Sequence, residues 1–386
     1  RYYREMNFGG LKVLMISSDR QIFTSGSAVS LRMKEYGALV EELHIVVLSD
    51  SSHGLREMQL GKNIWVYPTN SSRSFLRPLG AARLGKKIVF DKKFVRGRSL
   101  VTTDSIECSW AGLKIKNKWR IPVEVQLHTD PFSPYFSGFQ NRVRRFFAKR
   151  VLTRADSVRV MSEDLKKKVL NLKSKAIVNV LPIYVEKEKI ENMPILFDVH
   201  ARYPWTFILL TVSRLTVEKN LDLALETLAV VRERFPETGL LMIGSGPEEG
   251  SLKLKVKSLK LEGSVEFVGW QNDLGSYYKT ANVFLQTSVF EGYGLSLVEA
   301  GLSGLPVVTT SVGIAQELED QKDAYIYPVG RADLMAQGIV DLLENNEKRK
   351  YLGFNLKRTL ENKLISKSEY LSKLQLAWEE TSKKIK

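Results

Sequence analysis

Cysteine is almost absent from this chain. Among 386 residues only Cys108 occurs, which excludes an internal disulfide and a metal cage built from several thiolates. With four histidines and no Asp-x-Asp triplet, no set of side chains has metal-ligand spacing, and no Gly-x-Ser-x-Gly elbow is present to carry a serine nucleophile. A required metal and a serine nucleophile are both disfavoured. Long apolar runs are missing too: stretches such as Phe207–Leu210 fall far below the roughly 18 residues that span a bilayer. Residues 1–10 are too polar for a signal peptide. These absences, with the lone thiol read as a packing residue, point to a cytoplasmic protein.

What is present is charge, and it is unevenly placed. Residues 1–190 hold 35 Lys and Arg against 17 Asp and Glu, while 191–386 hold 23 against 26. A front half at +18 and a back half at −3 favour an anionic partner at the front, namely an anionic membrane surface, a phosphate-rich acceptor or a nucleic acid. Solubility alone is the plainer account of such a face. The length and the 44% apolar content suffice for two domains, each with its own core.

Short apolar runs without period-two alternation recur through the first half, at residues 11–18, 44–49, 63–68, 99–103, 123–128, 157–162 and 177–182, with helix-like stretches such as 29–43 between them. Strands buried on both faces of a parallel sheet read this way. A charged, proline-bearing linker covers 186–204, and strand then alternates strictly with helix from Trp205 to Ser311. The pattern predicts two doubly wound α/β sheets in tandem with a cleft between them. The tail has helical spacing at Tyr370, Leu374 and Trp378 and comes too late to join the second sheet.

Ligands of open α/β sheets bind beyond the carboxyl ends of the strands. Arg214 and Lys219 follow the first strand of the back half, and together they can neutralise a diphosphate. In 288–308, "SVFEGYGLSLVEAGLSGLPVV", Gly292 and Gly294 let the backbone approach a ligand, and a helix from Leu295 aims its free N–H groups at an anion. Gly304 ends that helix and Pro306 blocks its continuation. Glu299 lies about one turn inside, amid Leu295, Leu297, Val298, Ala300 and Leu302, where a carboxylate must find partners. It either accepts bonds from a pair of sugar hydroxyls or counters the helix dipole. His128 closes a front-half strand, as a satisfied core histidine or as a catalytic one. The loop 244–250, "GSGPEEG", reads equally as a phosphate loop or as turn chemistry.

Together these landmarks resemble a retaining glycosyltransferase of family 4, within glycosyl transferases group 1, over nearly the whole chain. Glu291-Gly-Tyr-Gly through Glu299-Ala300, then Gly304-Leu-Pro-Val-Val, match that family's E-G-aromatic-G, E-A and G-x-P-V-V signature. Ser213-Arg214-Leu215 with Glu218-Lys219, "IGSGPEEGSL" and "VEFVGW" match its other landmarks in order. Three sites depart from the pattern. The paired glycines after the first strand are reduced to Gly26 in "TSGSAVS", the hinge reads Pro182-Ile-Tyr-Val-Glu186, and Val312-Gly313 replaces a double glycine, with Glu317 retained.

The resemblance implies an α/β GT-B fold of two facing Rossmann-like domains with an interdomain cleft. Residues 1–187 would bind the acceptor, 188–364 the nucleotide sugar, and 365–386 would form a helix returning to the first domain. It further implies retaining transfer of a hexose, without metal or cofactor, from a UDP-sugar or GDP-sugar to a lipid-linked or envelope glycan. Arg214 and Lys219 would hold the diphosphate, assisted by the backbone at Gly292, Tyr293, Gly294, Leu295 and Ser296, with Gly26 also on the donor side. Glu299 would hold the ribose, Glu291 the transferred sugar, and His128 would lie near the reacting sugar.

Within 141–155, Val143, Phe146, Phe147 and Val151 share one helical face, with Arg142, Arg145, Lys149 and Arg150 mostly away from it. We read that face as core rather than membrane. The basic segment 85–98 supplies cations for anionic lipid, so a peripheral place at the inner face of the cell membrane is expected. Two readings compete with catalysis on a glycan: a non-catalytic binder of nucleotide sugars, and a glycosyltransferase acting on RNA. A nucleic-acid partner is disfavoured, because no aromatic-basic module is present.

Overall fold

The computed structural model describes residues 10–133, 139–172 and 174–384. The signal-peptide reading of 1–10 falls, but for Gly10, outside the described residues. The chain divides into two compact units, Arg1–Ile183 with Ser366–Lys386, and Tyr184–Ile365. The boundaries expected at 187/188 and 364/365 stand at 183/184 and 365/366 in this division.

The first unit holds strands β1 (Lys12–Ser17), β2 (Glu42–Val47), β3 (Met58–Gly61), β4 (Ile64–Pro68), β5 (Ser99–Thr103), β6 (Val123–Leu127), β7 (Ser157–Val160) and β8 (Ile177–Val180). They form one sheet in the order β3-β4-β2-β1-β5-β6-β7-β8, parallel throughout except that β3 runs antiparallel to β4. Helices α1 (Ala28–Gly37), α2 (Arg77–Asp91), α3 (Ile106–Trp119), α4 (Phe139–Leu152) and α5 (Glu163–Asn171) connect the strands. Val13, Leu14 and Ile16 of β1 are all fully buried, so residues on both faces of the strand are covered and its sequence shows no alternation. Cys108 lies within the core, as a packing residue should.

The helix-like stretch 29–43 is two elements. Ser27 caps α1 by accepting from Ser30 N at 3.0 Å, the helix stops at Gly37, and Leu43 lies inside β2. The face assigned to the core in 141–155 is also corrected. Val151 is buried, but Val143, Phe146 and Phe147 are 40%, 62% and 45% exposed, and the buried stripe of α4 runs through Ala148, Val151 and Leu152. Shared periodicity places side chains on a common face; what covers that face depends on neighbouring elements, and among the described residues of this unit nothing covers the outer part.

The second unit holds helices α6 (Lys187–Glu191) and α7 (Val199–Arg202) inside the stretch expected to be linker, then α8 (Leu221–Arg234), α9 (Glu249–Ser258), α10 (Gly275–Thr280), α11 (Leu295–Leu302), α12 (Ala332–Glu344) and α13 (Asn346–Lys363). Its strands are β9 (Phe207–Val212), β10 (Thr238–Ile243), β11 (Val265–Gly269), β12 (Val283–Gln286), β13 (Val307–Thr310) and β14 (Tyr325–Tyr327). They form an all-parallel sheet in the order β11-β10-β9-β12-β13-β14.

Helix α14 (Lys367–Ser382) closes the first unit. Trp378 is fully buried there, edge-on to Tyr36 with ring centroids 5.8 Å apart, and its indole donates to Glu124 Oε1 at 3.2 Å. The hydroxyls of Tyr370 and Tyr36 lie 2.9 Å apart, and Thr381 Oγ1 donates to Ser157 Oγ at 2.8 Å. A helix that buries its aromatic stripe against the sheet and satisfies each polar tip is bound as firmly as a core element.

Candidate functional site

Strand order in the second sheet runs outward in both directions from the neighbours β9 and β12, so their carboxyl ends form its topological switch point. Crossover helices leave a crevice there, the place where open α/β sheets hold ligands. The loop after β9 carries Arg214 and Lys219, and the loop after β12 carries the glycine-flanked Glu291. Two hydrogen bonds join the loops: Val289 N donates to Glu218 O at 3.0 Å, and the Thr287 side-chain Oγ1 donates to Lys219 O at 3.1 Å.

Lys219 Nζ meets Glu291 Oε1 at 2.7 Å, with only 15% and 9% of the two side chains exposed. Ser288 Oγ donates to the same oxygen at 2.7 Å, so Glu291 Oε2 takes neither bond. Arg214 is different. Its side chain is 71% exposed and, among the described residues, pairs with Glu218 at 3.0 Å, so it is the less enclosed of the two cations. Three buried polar atoms here, Ser213 Oγ and Thr216 Oγ1 in the first loop and Gln286 Oε1 at the end of β12, lack a hydrogen-bond partner among the described residues. Groups of this kind cost free energy unless something pairs with them.

Gly294 stands at φ +98° and caps α11, where the left-handed backbone favours glycine. The bend before it is pinned because Ile314 N donates to Tyr293 O at 2.7 Å. Burial, with the Glu317 carboxylate adding to it, pushes the Tyr293 phenol up to about 12, so it stays protonated. Leu297 and Val298 N both donate back to Gly294 O, while Leu295 and Ser296 open the helix. Leu297, Val298, Ala300 and Leu302 are buried around Glu299, as the sequence implied, but Leu295, expected among them, is 40% exposed at the start of the helix.

The partner demanded by Glu299 is Tyr278, on α10, whose hydroxyl donates to Oε2 at 2.9 Å. Desolvation raises the carboxyl above its ordinary range, and the Tyr278 hydrogen bond opposes that shift. Sequence reasoning missed Tyr278, Ser288 and Gln286. The need for a donor at Glu299 was legible; the donor itself, far away in sequence on another helix, was not.

The loop 244–248 acts on Arg214 through the backbone. Leu215 N donates to Ser245 O and Glu248 N donates to Leu215 O, each at 3.0 Å. A side chain at Gly246 would put a Cβ 2.2 Å from Leu215 O, so only glycine lets these loops close on each other. The structure thus favours turn and packing chemistry for "GSGPEEG".

Gly26 and His128 belong to the first unit. Gly26, at φ +77°, turns the chain between β1 and the capping Ser27 of α1. His128 follows β6 and is mostly buried; burial, reinforced by the positive charges of Arg159 and Arg32, holds its imidazole down at about 3, so it is neutral. Its Nδ1 has no hydrogen-bond partner. Arg159, fully buried on β7, is fixed by Gln126 Oε1 at 3.0 Å. Among the described residues, no group of three or more His, Cys, Asp or Glu is arranged to hold a metal, and no helix is long and apolar enough to cross a membrane.

Residues 192–359 match the family described as glycosyl transferases group 1. An uncharacterised glycosyltransferase of Haemophilus influenzae is 34% identical over 140 residues, which are 36% of this chain and 39% of that protein. The α-monoglucosyldiacylglycerol synthase of Acholeplasma laidlawii is 23% identical over 309 residues, 73% of this chain and 75% of that enzyme. Several further curated relatives are matched over about half of their own length or less. Among solved structures, Anabaena HepE in complex with UDP is similar with a TM-score of 0.73 at 18% identity, covering 96% of this chain and all of that one. Such likeness shows the fold, two Rossmann-like α/β units of the GT-B class.

Proposed function

We propose that this chain, whose residues 192–359 match the family described as glycosyl transferases group 1, transfers a hexose from a nucleoside-diphosphate sugar to a lipid-linked or envelope glycan. The observation that carries the reading is the Lys219–Glu291 pair at the β9/β12 switch point, beside the start of α11. A departing nucleoside diphosphate accumulates negative charge as the glycosidic bond breaks. Lys219 and the opening amides of α11 stabilise that charge from fixed positions, the exposed Arg214 adds a second cation, and this is our reason to propose a metal-independent reaction. Glu299, held from below by Tyr278, accepts from the ribose hydroxyls. Glu291 steadies the transferred sugar through Oε2, and the backbone from Gly292 to Ser296 lines the diphosphate.

His128, kept neutral, offers an uncharged ring nitrogen to the reacting sugar rather than a second cation. Retention of anomeric configuration and membership of family 4 follow from the motif resemblance and stand as part of this proposal. A UDP-sugar is the first donor to try, because HepE was solved with UDP, and a diacylglycerol glycoside is the first acceptor, after the name of the Acholeplasma relative.

A thermal-shift panel of UDP, GDP, ADP and their sugars tests donor binding, since a ligand of the native state alone must raise the melting point. Transfer or donor hydrolysis in the presence of chelator, abolished by Lys219→Ala and by Glu291→Gln, supports catalysis. Binding without turnover on any glycan acceptor would instead leave a nucleotide-sugar sensor, and turnover on RNA alone would overturn the acceptor class.

A further inference from the structure

The excess positive charge of the first unit is concentrated on one layer. Helices α2, α3 and α4 pack side by side on one face of its sheet and share one core. They carry four, three and five Lys or Arg, against Asp91 and Glu107 as their acids. Arg77 and Lys116 are tied to Asp50 and Asp156. Arg83, Lys87, Lys114, Lys118, Lys149 and Arg150 are exposed. Interspersed among these cations are large apolar side chains that point away from the core: Leu79 and Phe90 on α2 are 53% and 67% exposed, beside Val143, Phe146 and Phe147 on α4.

Between α2 and α3 runs a groove of about 1340 Å³ lined by Arg83, Lys86, Lys87, Phe90, Trp110 and Trp119 among others, with Glu57 as its one acid. Lys114 Nζ lies 5.1 Å from the Trp110 ring centroid and Lys118 Nζ 5.2 Å from that of Trp119. Among the described residues the buried Trp119 indole N–H has no hydrogen-bond partner.

We propose that the outer face of α2, α3 and α4 docks this protein on an anionic lipid bilayer, with lipid phosphates entering the α2–α3 groove and Leu79, Phe90 and Phe146 entering the acyl boundary. Charge complementarity selects an anionic surface, and the exposed apolar tips choose among anionic surfaces. Leu79 and Val143 gain nothing from a sugar-phosphate backbone, which needs cations and stacking rings. Inserted below the headgroups, they leave water together with the phenylalanines. Cations alone or one apolar anchor alone bind membranes marginally, whereas the two combined bind stably. The inference stands apart from the donor site, which lies in the other unit and is not needed for the measurement below.

The test is co-sedimentation of the full chain with vesicles, without nucleotide, at about 0.1 M salt, where a charged surface still acts over roughly 10 Å. Vesicles of phosphatidylcholine with roughly 30% phosphatidylglycerol should bind it, and pure phosphatidylcholine should bind far less. Lys86→Gln/Lys87→Gln/Lys114→Gln should lower the partition coefficient roughly a hundredfold, at about fivefold per cation. Phe90→Ser/Phe146→Ser should lower it about tenfold or more and remove the part that survives high salt. Lys86 is half-buried and the other four substituted positions are exposed, so the melting points of both variants should match that of the parent. Failure of the parent to bind anionic vesicles overturns the proposal, as does binding that neither variant weakens. Loss with the lysine variant alone, accompanied by unchanged retention of the serine variant on RNA or heparin, overturns it in favour of a polyanion site.

Discussion

Replacing Tyr278 with phenylalanine removes a single oxygen and keeps a ring that is 1% exposed and packed against Phe284. That oxygen donates to Glu299 Oε2 at 2.9 Å, within a site whose desolvation already raises the carboxyl. A hydrogen bond to an ionised acceptor contributes about 1.5–3 kcal/mol, and a bond between neutral groups about 1 kcal/mol or less. The sign follows from linkage. A carboxyl whose folded pKa lies above its unfolded value of 4.5 costs stability as pH rises past 4.5, while below 4.5 it is protonated in both states and costs nothing. Removing the phenol raises the folded pKa further and enlarges the cost at neutral pH. Tyr278→Phe should therefore lose about 2 kcal/mol at pH 7.5 and distinctly less at pH 4, read by urea unfolding at both.

The same variant separates the parts of the ligand. If Glu299 grips the ribose, UDP affinity should fall about tenfold, while inorganic pyrophosphate, which has no ribose, should bind as before. Equal losses at the two pH values would refute the electrostatic account of the pair. Equal weakening of UDP and pyrophosphate would refute the ribose assignment.

Three other outcomes follow from the geometry. Lys219→Met and Glu291→Gln should each cost roughly 3 kcal/mol by leaving a largely buried charge unpaired, and the double variant should recover most of that in urea unfolding; additive losses would deny the coupling. His128 has a folded pKa of about 3 against 6.5 unfolded, so its contribution is complete above pH 6.5 and is lost as pH falls toward 3; between pH 6.5 and 5 the parent should lose about 1.5 kcal/mol more than His128→Gln, and parallel pH–stability curves would refute this. Gly246→Ala should displace the 213–215 loop and weaken nucleotide binding at least several-fold, with the Lys219–Glu291 coupling retained, as calorimetric titration with UDP would show.

The sequence disclosed those features whose cause is local. β1 and β9 were visible because strands covered on both faces are apolar without alternation, and α11 because glycine and proline punctuate it. Arg214, Lys219 and Glu291 were visible because a site needs charge and flexible backbone at loop positions. The remainder is decided by what packs over each element. Periodicity grouped Val143, Phe146, Phe147 and Val151 correctly as neighbours on a helix, but the core lies over Ala148, Val151 and Leu152. In the same way Glu299 announced a missing donor, and only the meeting of α10 with α11 supplied Tyr278.

Charge is used differently in the two units, and this bears on how each finds its ligand. In the second unit the cations of the candidate site are already paired, Arg214 with Glu218 and Lys219 with Glu291, so the proposed diphosphate would meet charges that are largely neutralised. Recognition there must come from short-range contacts made as the donor displaces or shares those partners, because paired charges cast little field beyond a Debye length. The first unit leaves many of its cations exposed across one helical layer, which is the arrangement that draws a large anionic surface from a distance. For the proposed transfer from a soluble donor to a membrane-borne acceptor this division would be useful: steering would act toward the extended surface, and a strong field at the donor site would hold the nucleoside diphosphate after transfer.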